Sequence, residues 1–428
     1  MNSSSRLYGM SCSLTCGSSL EAKIEMKANL QQEELRRLRL ARIAIVVFFF
    51  TNGLIAASMS ARLPTIQIKL ALSPGQLGLA LLGCTVGGLL AMNIGGRIAR
   101  RSGSHSVVTI AAIVMCITLP LLAFAPNLWL LLMALIGLGA GSGAMDVTMN
   151  MQAAELERAY GRPILSSFHA CFSIGSLLGA TLGSLLAALH ISPELHFLAV
   201  AGVTVMSIIG SSRFLLVEAE RQEDTAQVGR KASSLRFSPT LVMLGLIAFS
   251  ALLSVGAMFD WSAVYLSDTL HAEPGLAAAG FSTFLVCMTL GRAVGDYLTA
   301  RLGAAMLVRS ACSLAALGLA LALLVPWVPL AFLGLGLVGI GLSVPFPLVI
   351  SAAGRLSKKH GGSILVNITT WGYFGMIAGP AVIGFVADRL GLRLALGLVA
   401  LLCVMAALCA SAVADSPIKA VDEGSLLS

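Results

Sequence analysis

The sequence predicts an all-α integral membrane protein, twelve transmembrane helices arranged as two pseudo-symmetric six-helix halves. Three observations carry this. The chain has 428 residues, of which 57% are apolar and only 11% charged, with a mean hydropathy of +0.90; soluble domains carry about 25% charged residues. The apolar residues fall into twelve runs, each near the length of about 20 residues that a bilayer demands. The last six runs repeat landmarks of the first six. Such a composition excludes a disordered chain, a coiled coil and a secreted disulfide scaffold. The net charge of +8 is no nucleic-acid signature, because the basic residues sit in short blocks between apolar runs.

Residues 1–39 hold no apolar run and read as a Ser/Gly-rich, disordered tail rather than a cleavable signal. Within them, Met26 opens a short basic amphipathic lead-in and is a second candidate start. The twelve runs fall at about 40–62, 74–98, 105–124, 128–151, 165–188, 196–217, 239–266, 278–300, 304–324, 329–353, 364–386 and 393–413. An amino half (40–217) and a carboxyl half (239–413) are joined by a polar linker (218–238), and 414–428 form a second tail. If both termini are cytoplasmic, 23 of the 28 Lys and Arg residues lie inside, against Arg62, Lys69, Arg389 and Arg393 outside and Arg292 within a span. That bias predicts a multi-pass protein of a bacterial inner membrane with cytoplasmic tails. Trp129 and Trp327 open spans four and ten at the outer face, where indole rings favour the interface. Seven of the nine cysteines lie in apolar runs as small hydrophobes, and Cys12 and Cys16 form only a weak CxxxC.

A shift of 200 residues aligns Pro74-Gly75 with Pro274-Gly275, Gly95 with Gly295, Arg101 with Arg301 and Gly103 with Gly303. A shift of 198 aligns Trp129, Gly141 and Gly143 with Trp327, Gly339 and Gly341. Six spans separate the equivalents, so the repeats are parallel, with a pathway expected between them at the bilayer midplane. Between spans two and three, Gly96-Arg97-Ile98-Ala99-Arg100-Arg101-Ser102-Gly103-Ser104-His105 resembles the loop signature of the major facilitator superfamily, with Arg100 in place of its acid. The second copy, Gly291-Arg292-Ala293-Val294-Gly295-Asp296 followed by Ala300-Arg301-Leu302-Gly303, carries the acid four residues earlier.

More specific is Asp146-Val147-Thr148-Met149-Asn150-Met151-Gln152, followed by Glu157-Arg158, Gly161-Arg162-Pro163 and Ser166-Ser167-Phe168-His169. With Phe259-Asp260-Trp261-Ser262 and Trp371-Gly372-Tyr373-Phe374-Gly375 ahead of Gly379-Pro380, it resembles the superfamily branch that contains the rhizobial, rhizopine-associated membrane protein MosC. The resemblance covers about residues 38–413. It implies a secondary transporter for a small polar substrate such as a sugar, a cyclitol or a rhizopine-like compound. Coupling to protons is expected, through a titratable group embedded in the membrane. No cofactor, metal or nucleic acid is implied, and a monomer is expected.

Ionisable residues in hydrocarbon are costly and rarely face lipid. Asp146 lies about 26 Å inward of Trp129 at 1.5 Å per residue, with Asn150 one turn on. It is either a proton-coupling or substrate group facing the cavity, or an ion-pair partner of Arg158 or Arg162 at the inner gate. Asp260, in the outer half of span seven, either binds substrate, closes the outer gate against Arg62, or is a solvated helix end. Trp261 and Tyr265, spaced i, i+4, either stack on a sugar-like ring or anchor the interface. Arg292 and Asp296 read as a local ion pair with a gating or structural role, and Arg101 and Arg301 as further gating candidates. His169 is either a neutral hydrogen-bonded histidine or a proton relay. From the resemblance, Asn52 in span one and Asn367, Thr370 and Tyr373 in span eleven reach the central cavity. The glycine runs 137–143 and 334–341 follow no strand and read as helix-packing sites rather than phosphate loops, and Pro345 and Pro347 as a kink in span ten.

Catalytic motifs are absent: the sequence has no HExxH and no GxSxG, so an enzyme is not expected. No repeated filter segment argues for a channel. A drug or metabolite exporter of the same fold, and a non-transporting receptor, remain alternatives. A reporter fused after Ser428 should be active only in its cytoplasmic form; activity confined to the periplasm would overturn the charge argument.

Overall fold

A computed structural model describes residues 8–161, 164–216, 239–360 and 363–414. Arg162, the linker and the carboxyl-terminal tail therefore lie outside the described residues. Among the described residues, twelve helices are long and apolar enough to cross a membrane. In hydrocarbon a backbone can satisfy its own polar groups only by staying helical, and apolar runs of this length have no other option. The amino half is α1 (Tyr8–Lys69), α2 (Pro74–Ser102), α3 (Ser104–Phe124), α4 (Leu128–Tyr160), α5 (Leu165–Ala188) and α6 (Pro193–Ser212). The carboxyl half is α7 (Pro239–Val264, extended by a π-helical turn Tyr265–Thr269), α8 (Pro274–Leu302), α9 (Ala304–Leu324), α10 (Val328–Leu342), α11 (Pro345–His360), α12 (Ser363–Leu390) and α13 (Leu392–Cys409). The tenth span breaks into α10 and α11 ahead of Pro345, where the missing N–H and the ring remove the ladder bond.

Caps set the other boundaries. Ser73 and Gln76 form a reciprocal capping box at the start of α2, with Pro74 in the first turn. Asn127 accepts from the Leu130 amide to start α4, and Gly161 ends it at φ 63°. Two expectations are corrected here. The polar segment before residue 40, read as disordered, continues α1 back to Tyr8; its Ala, Leu, Gln, Glu and Arg residues are good helix formers. At the other end α1 runs through Pro64 to Lys69, so Arg62 lies inside the helix, only 2% exposed, rather than in an outer loop.

The repeat is written into the backbone. Ala71 and His271, 200 residues apart, both turn the chain at left-handed φ values of 48° and 51°, and Gly103 and Gly303 do so at 85° and 74°. Helix contacts recur in the same register. A Cβ on Gly139 would overlap the Cys84 carbonyl of α2, and one on Gly339 the Phe284 carbonyl of α8. Gly141 meets the Ala111 carbonyl as Gly341 meets that of Ala311. The shift is therefore 200 in spans four and ten as well, and the 198 alignment is corrected; the turns before these spans, 125–127 and 325–327, are equal in length, and Trp129 is the second residue of α4 whereas Trp327 is the cap before α10. The counterpart of Asp146 is accordingly Phe346.

Because helices touch backbone to backbone at these points, a methyl there forces them apart, at about 1–3 kcal/mol. Gly139→Ala should lower the thermal stability of the purified protein by about 2 kcal/mol or more. Gly202→Ala, with nothing within 4 Å of the added carbon, should change it by less than about 0.5 kcal/mol.

Candidate functional site

Among the described residues, two carboxylates sit inside the bundle, one per half. Asp146 on α4 is half-buried. The Asn150 amide, one turn on, donates to the Asp146 carbonyl at 2.8 Å and to its Oδ1 at 3.4 Å. Arg158, one of the two expected partners of Asp146, bonds instead to Glu155 at 2.5 Å, because that carboxylate stands one turn away on the same helix. Asp146 lies within electrostatic reach of His169 on α5 and of Tyr373 on α12. His169 is exposed and meets the Phe49 ring edge-on, 5.2 Å between centroids, while Phe49 stacks on Phe168. Among the described residues its imidazole packs on a ring, with no hydrogen bond to a neighbouring helix. Asp146, Asn150, His169 and Tyr373 form one group drawn from three helices and both halves. Asn367 and Thr370 sit exposed on α12 beside it in sequence.

Asp260 on α7 is half-buried and lies across from Cys84 of α2, with no cation paired to it among the described residues. It does not meet Arg62. The Arg62 Nε donates to His196 Nδ1 at 3.3 Å and its Nη2 to the Ile191 carbonyl at 2.9 Å, both on its own half. The longer α1 explains this: once Arg62 is helical it points between α1 and α6. Trp261 and Tyr265 are corrected too. Both are essentially fully buried, at 0% and 1% exposure, which excludes interface anchoring. The Tyr265 hydroxyl donates to the Ala322 carbonyl of α9 at 2.7 Å and also interacts with Arg393 of α13, so its polar tip is held by neighbouring helices of its own half. Trp261 keeps its Nε1 buried without an acceptor among the described residues.

Asn52 is 3% exposed and spends its amide inside the amino half, accepting from Ser142 at 3.4 Å and donating to the Met149 sulfur at 4.0 Å. It ties α1 to α4 instead of lining the cavity. Arg292 is exposed on α8, and the side chain of Asp296 lies outside the described residues. Arg101 is exposed near the end of α2, and Arg301 stacks over Tyr297 at 4.7 Å.

Residues that sequence reasoning passed over close the opposite end of the bundle. Gln67 donates to Asp268 at 2.9 Å, and Asp388 accepts from Ser73 and Gly75. Each pair joins the two halves. Among the described residues, the substantial helix contacts keep α4 with α1, α2, α3 and α5 and keep α11 with α7, α9, α10 and α12, each within its own half. Gln152, buried on α4, holds the Leu216 backbone at both N–H and C=O and donates to Ser104. Only a capping pattern at Ser73-Pro74-Gly75-Gln76 could have pointed to the closed end.

Comparisons with known proteins agree with this architecture. The chain matches the family model of the Major Facilitator Superfamily over residues 43–380 and 263–424. It is 32% identical to an uncharacterised MFS-type transporter of Yersinia pestis over 390 residues, covering 91% of this chain and all of that protein. The membrane protein MosC of Rhizobium meliloti is 28% identical over 84% of this chain and 86% of its own. Among solved structures, the nucleoside transporter NupG shares the fold, with a TM-score of 0.69, 15% identity, and 87% of this chain and 98% of that one covered. The chain is a multi-pass membrane transporter, not an enzyme, and belongs to the major facilitator superfamily.

Proposed function

We propose that the protein is a secondary active transporter of the bacterial inner membrane, acting as a monomer with both termini cytoplasmic. It moves a small polar molecule, a sugar, cyclitol or rhizopine-like compound, by alternating access coupled to protons. The observation that carries this reading is the Asp146, Asn150, His169 and Tyr373 group, an acid ringed by hydrogen-bonding side chains from both halves. A group that spans the halves changes its surroundings whenever they rock, and a carboxylate whose surroundings change is a place to take up and release a proton.

The placement of contacts supports the conformational half of the reading. With cytoplasmic termini, the joined end at Gln67, Asp268 and Asp388 is periplasmic, and the end where α4 and α11 stay within their own halves faces the cytoplasm. That placement supports an inward-open arrangement. The substrate class rests on the likeness to MosC and on the chemistry of the group: amide, phenol, imidazole and carboxylate together suit a hydroxyl-rich ligand better than an apolar one. Asp260 on α7 adds a second hydrogen-bonding position deeper toward the closed end.

Two substitutions separate coupling from binding. Asp146→Asn keeps size and hydrogen bonding but removes the exchangeable charge. Proteoliposomes carrying it should exchange substrate yet fail to accumulate it against a gradient driven by pH. Normal accumulation with normal proton flux would make Asp146 structural and His169 the next candidate. Asp260→Ala should leave insertion and expression near the wild-type level and weaken substrate affinity about tenfold, the loss expected for a hydrogen bond to a charged group. A substrate for these assays comes from a thermal-shift screen of sugars, inositols and amino sugars, since bound ligand stabilises the fold.

A further inference from the structure

Three contacts join the halves at the end opposite the termini, and they are not equivalent. Between α1 and the π-helical turn after α7, Gln67 donates to Asp268. On one flank α5 meets α8, where the Ser184 and Ser282 hydroxyls lie 3.1 Å apart and Gly275 stands against Ala188. On the other flank α2 meets α12, where Asp388 Oδ1 accepts from the Gly75 amide at 2.8 Å and Oδ2 from the Ser73 hydroxyl at 3.2 Å. Pro74 has no N–H, so Gly75 supplies the first free donor of α2. Asp388 therefore caps α2 from the opposite half, with its negative charge at the positive end of the helix.

The two flanks occupy equivalent places in the repeat and differ in their polar chemistry: the α5–α8 flank carries the Ser184–Ser282 hydroxyl pair, and the α2–α12 flank carries the carboxylate. Two hundred residues before Asp388 stands Ala188, and Ala188 faces Gly275 as Asp388 faces Gly75. Both glycines are needed for the approach: a Cβ on Gly75 would overlap the Asp388 carboxylate, and one on Gly275 would stand 2.5 Å from the Ala188 methyl. Among the described residues no ion pair competes for Asp388. The hydrogen-bond partners of this carboxylate belong to the other half.

We propose that Asp388 is a one-sided latch: an interhalf helix cap that exists only while the outer end is shut and so weights the balance between the two states of the transport cycle. Opening this end draws α12 away from α2, and both the Gly75 amide and the carboxylate must return to water. Among the described residues the α5–α8 flank has no carboxylate bonded to the opposite half, Glu273 at its cap making no side-chain cap bond, so the weighting comes from the α2–α12 side. Asp388 is exposed, so the weighting is modest, roughly three- to tenfold in the ratio of shut to open.

The inference rests on the alternating-access reading above, and hydrogen exchange followed by mass spectrometry on the full-length protein tests the two separately, without any substrate. Asp388→Ala should raise exchange in the outer segments 66–82 and 380–392 roughly three- to tenfold and lower it in the inner segments 147–160 and 345–356. Asp388→Asn, which keeps an acceptor oxygen, should move both in the same directions by less. Gly275→Ala, which wedges the α5–α8 flank, should give the same reciprocal pattern by sterics alone. If Gly275→Ala is reciprocal and both Asp388 variants match the wild type, the latch is wrong and alternating access stands. If Gly275→Ala produces no reciprocal change, the alternating reading falls and the latch with it. A rise at both ends in both Asp388 variants would make Asp388 a stabiliser of the fold and overturn the latch.

Discussion

Helix backbones lying in direct contact at glycine are what this bundle is built on. In a bilayer the lipid tails are as apolar as leucine, so helices gain little by hiding side chains from their surroundings and must gain it by close approach. The contacts that hold each half together have that character: Gly139 on the Cys84 carbonyl, Gly175 on the Phe50 carbonyl, and their counterparts Gly339 on Phe284 and Gly375 on Phe249. A chain built this way is rigid within a half. The interface between halves has fewer such points, mainly where Gly78 and Gly384 bring α2 onto α12 and Gly275 brings α8 onto α5. The same residue type therefore both locks each half and sets the two seams at which the halves meet.

Polar groups follow from the same setting. A charge in hydrocarbon must find partners on neighbouring helices, and the partner found depends on a single turn of register. Arg62 illustrates this. Extending α1 to Lys69 moves it from the surface into contact with His196 and the Ile191 carbonyl, and takes it out of reach of Asp260. Tyr265 and Asn52 are drawn into the core in the same way, each by an acceptor or donor on an adjacent helix. Asp146 and Asp260 are what remains when such pairing is complete: half-buried acids with no cation bonded to them among the described residues.

How much of this the sequence carried depends on the range of the interaction. The spans, their number and the internal repeat were legible, because they rest on runs of about 20 residues and on landmarks spaced at a fixed interval. The grouping of Asp146 with Asn150 was legible from a one-turn spacing. The joining of His169 and Tyr373 to that group, and of Asp388 to Gly75, was not, since each crosses between helices far apart in the chain and no local pattern encodes it. The misread register of spans four and ten has a local cause as well. Trp129 is the second residue of α4 whereas Trp327 is the cap before α10, so the two indoles are not equivalent positions, while the true alignment is fixed by the helix contacts of Gly139 and Gly339.

With that register in place, the symmetric and asymmetric parts of the chain divide the work. The positions that repeat are turns and glycine contacts: Ala71 with His271, Gly103 with Gly303, Gly141 with Gly341. The positions that do not repeat are the polar ones. Asp146 is matched by Phe346, His169 by Thr369, Tyr373 by Ser173 and Asp388 by Ala188. A duplicated scaffold has to keep its backbone contacts in both copies, because losing one loosens a half. It has no such need to keep a carboxylate twice, and two identical charged sites facing one cavity would repel each other. The asymmetry is thus where selection on chemistry could act without loosening the packing, and it leaves Asp146 in the amino half and Asp388, the carboxylate of the α2–α12 seam, in the carboxyl half.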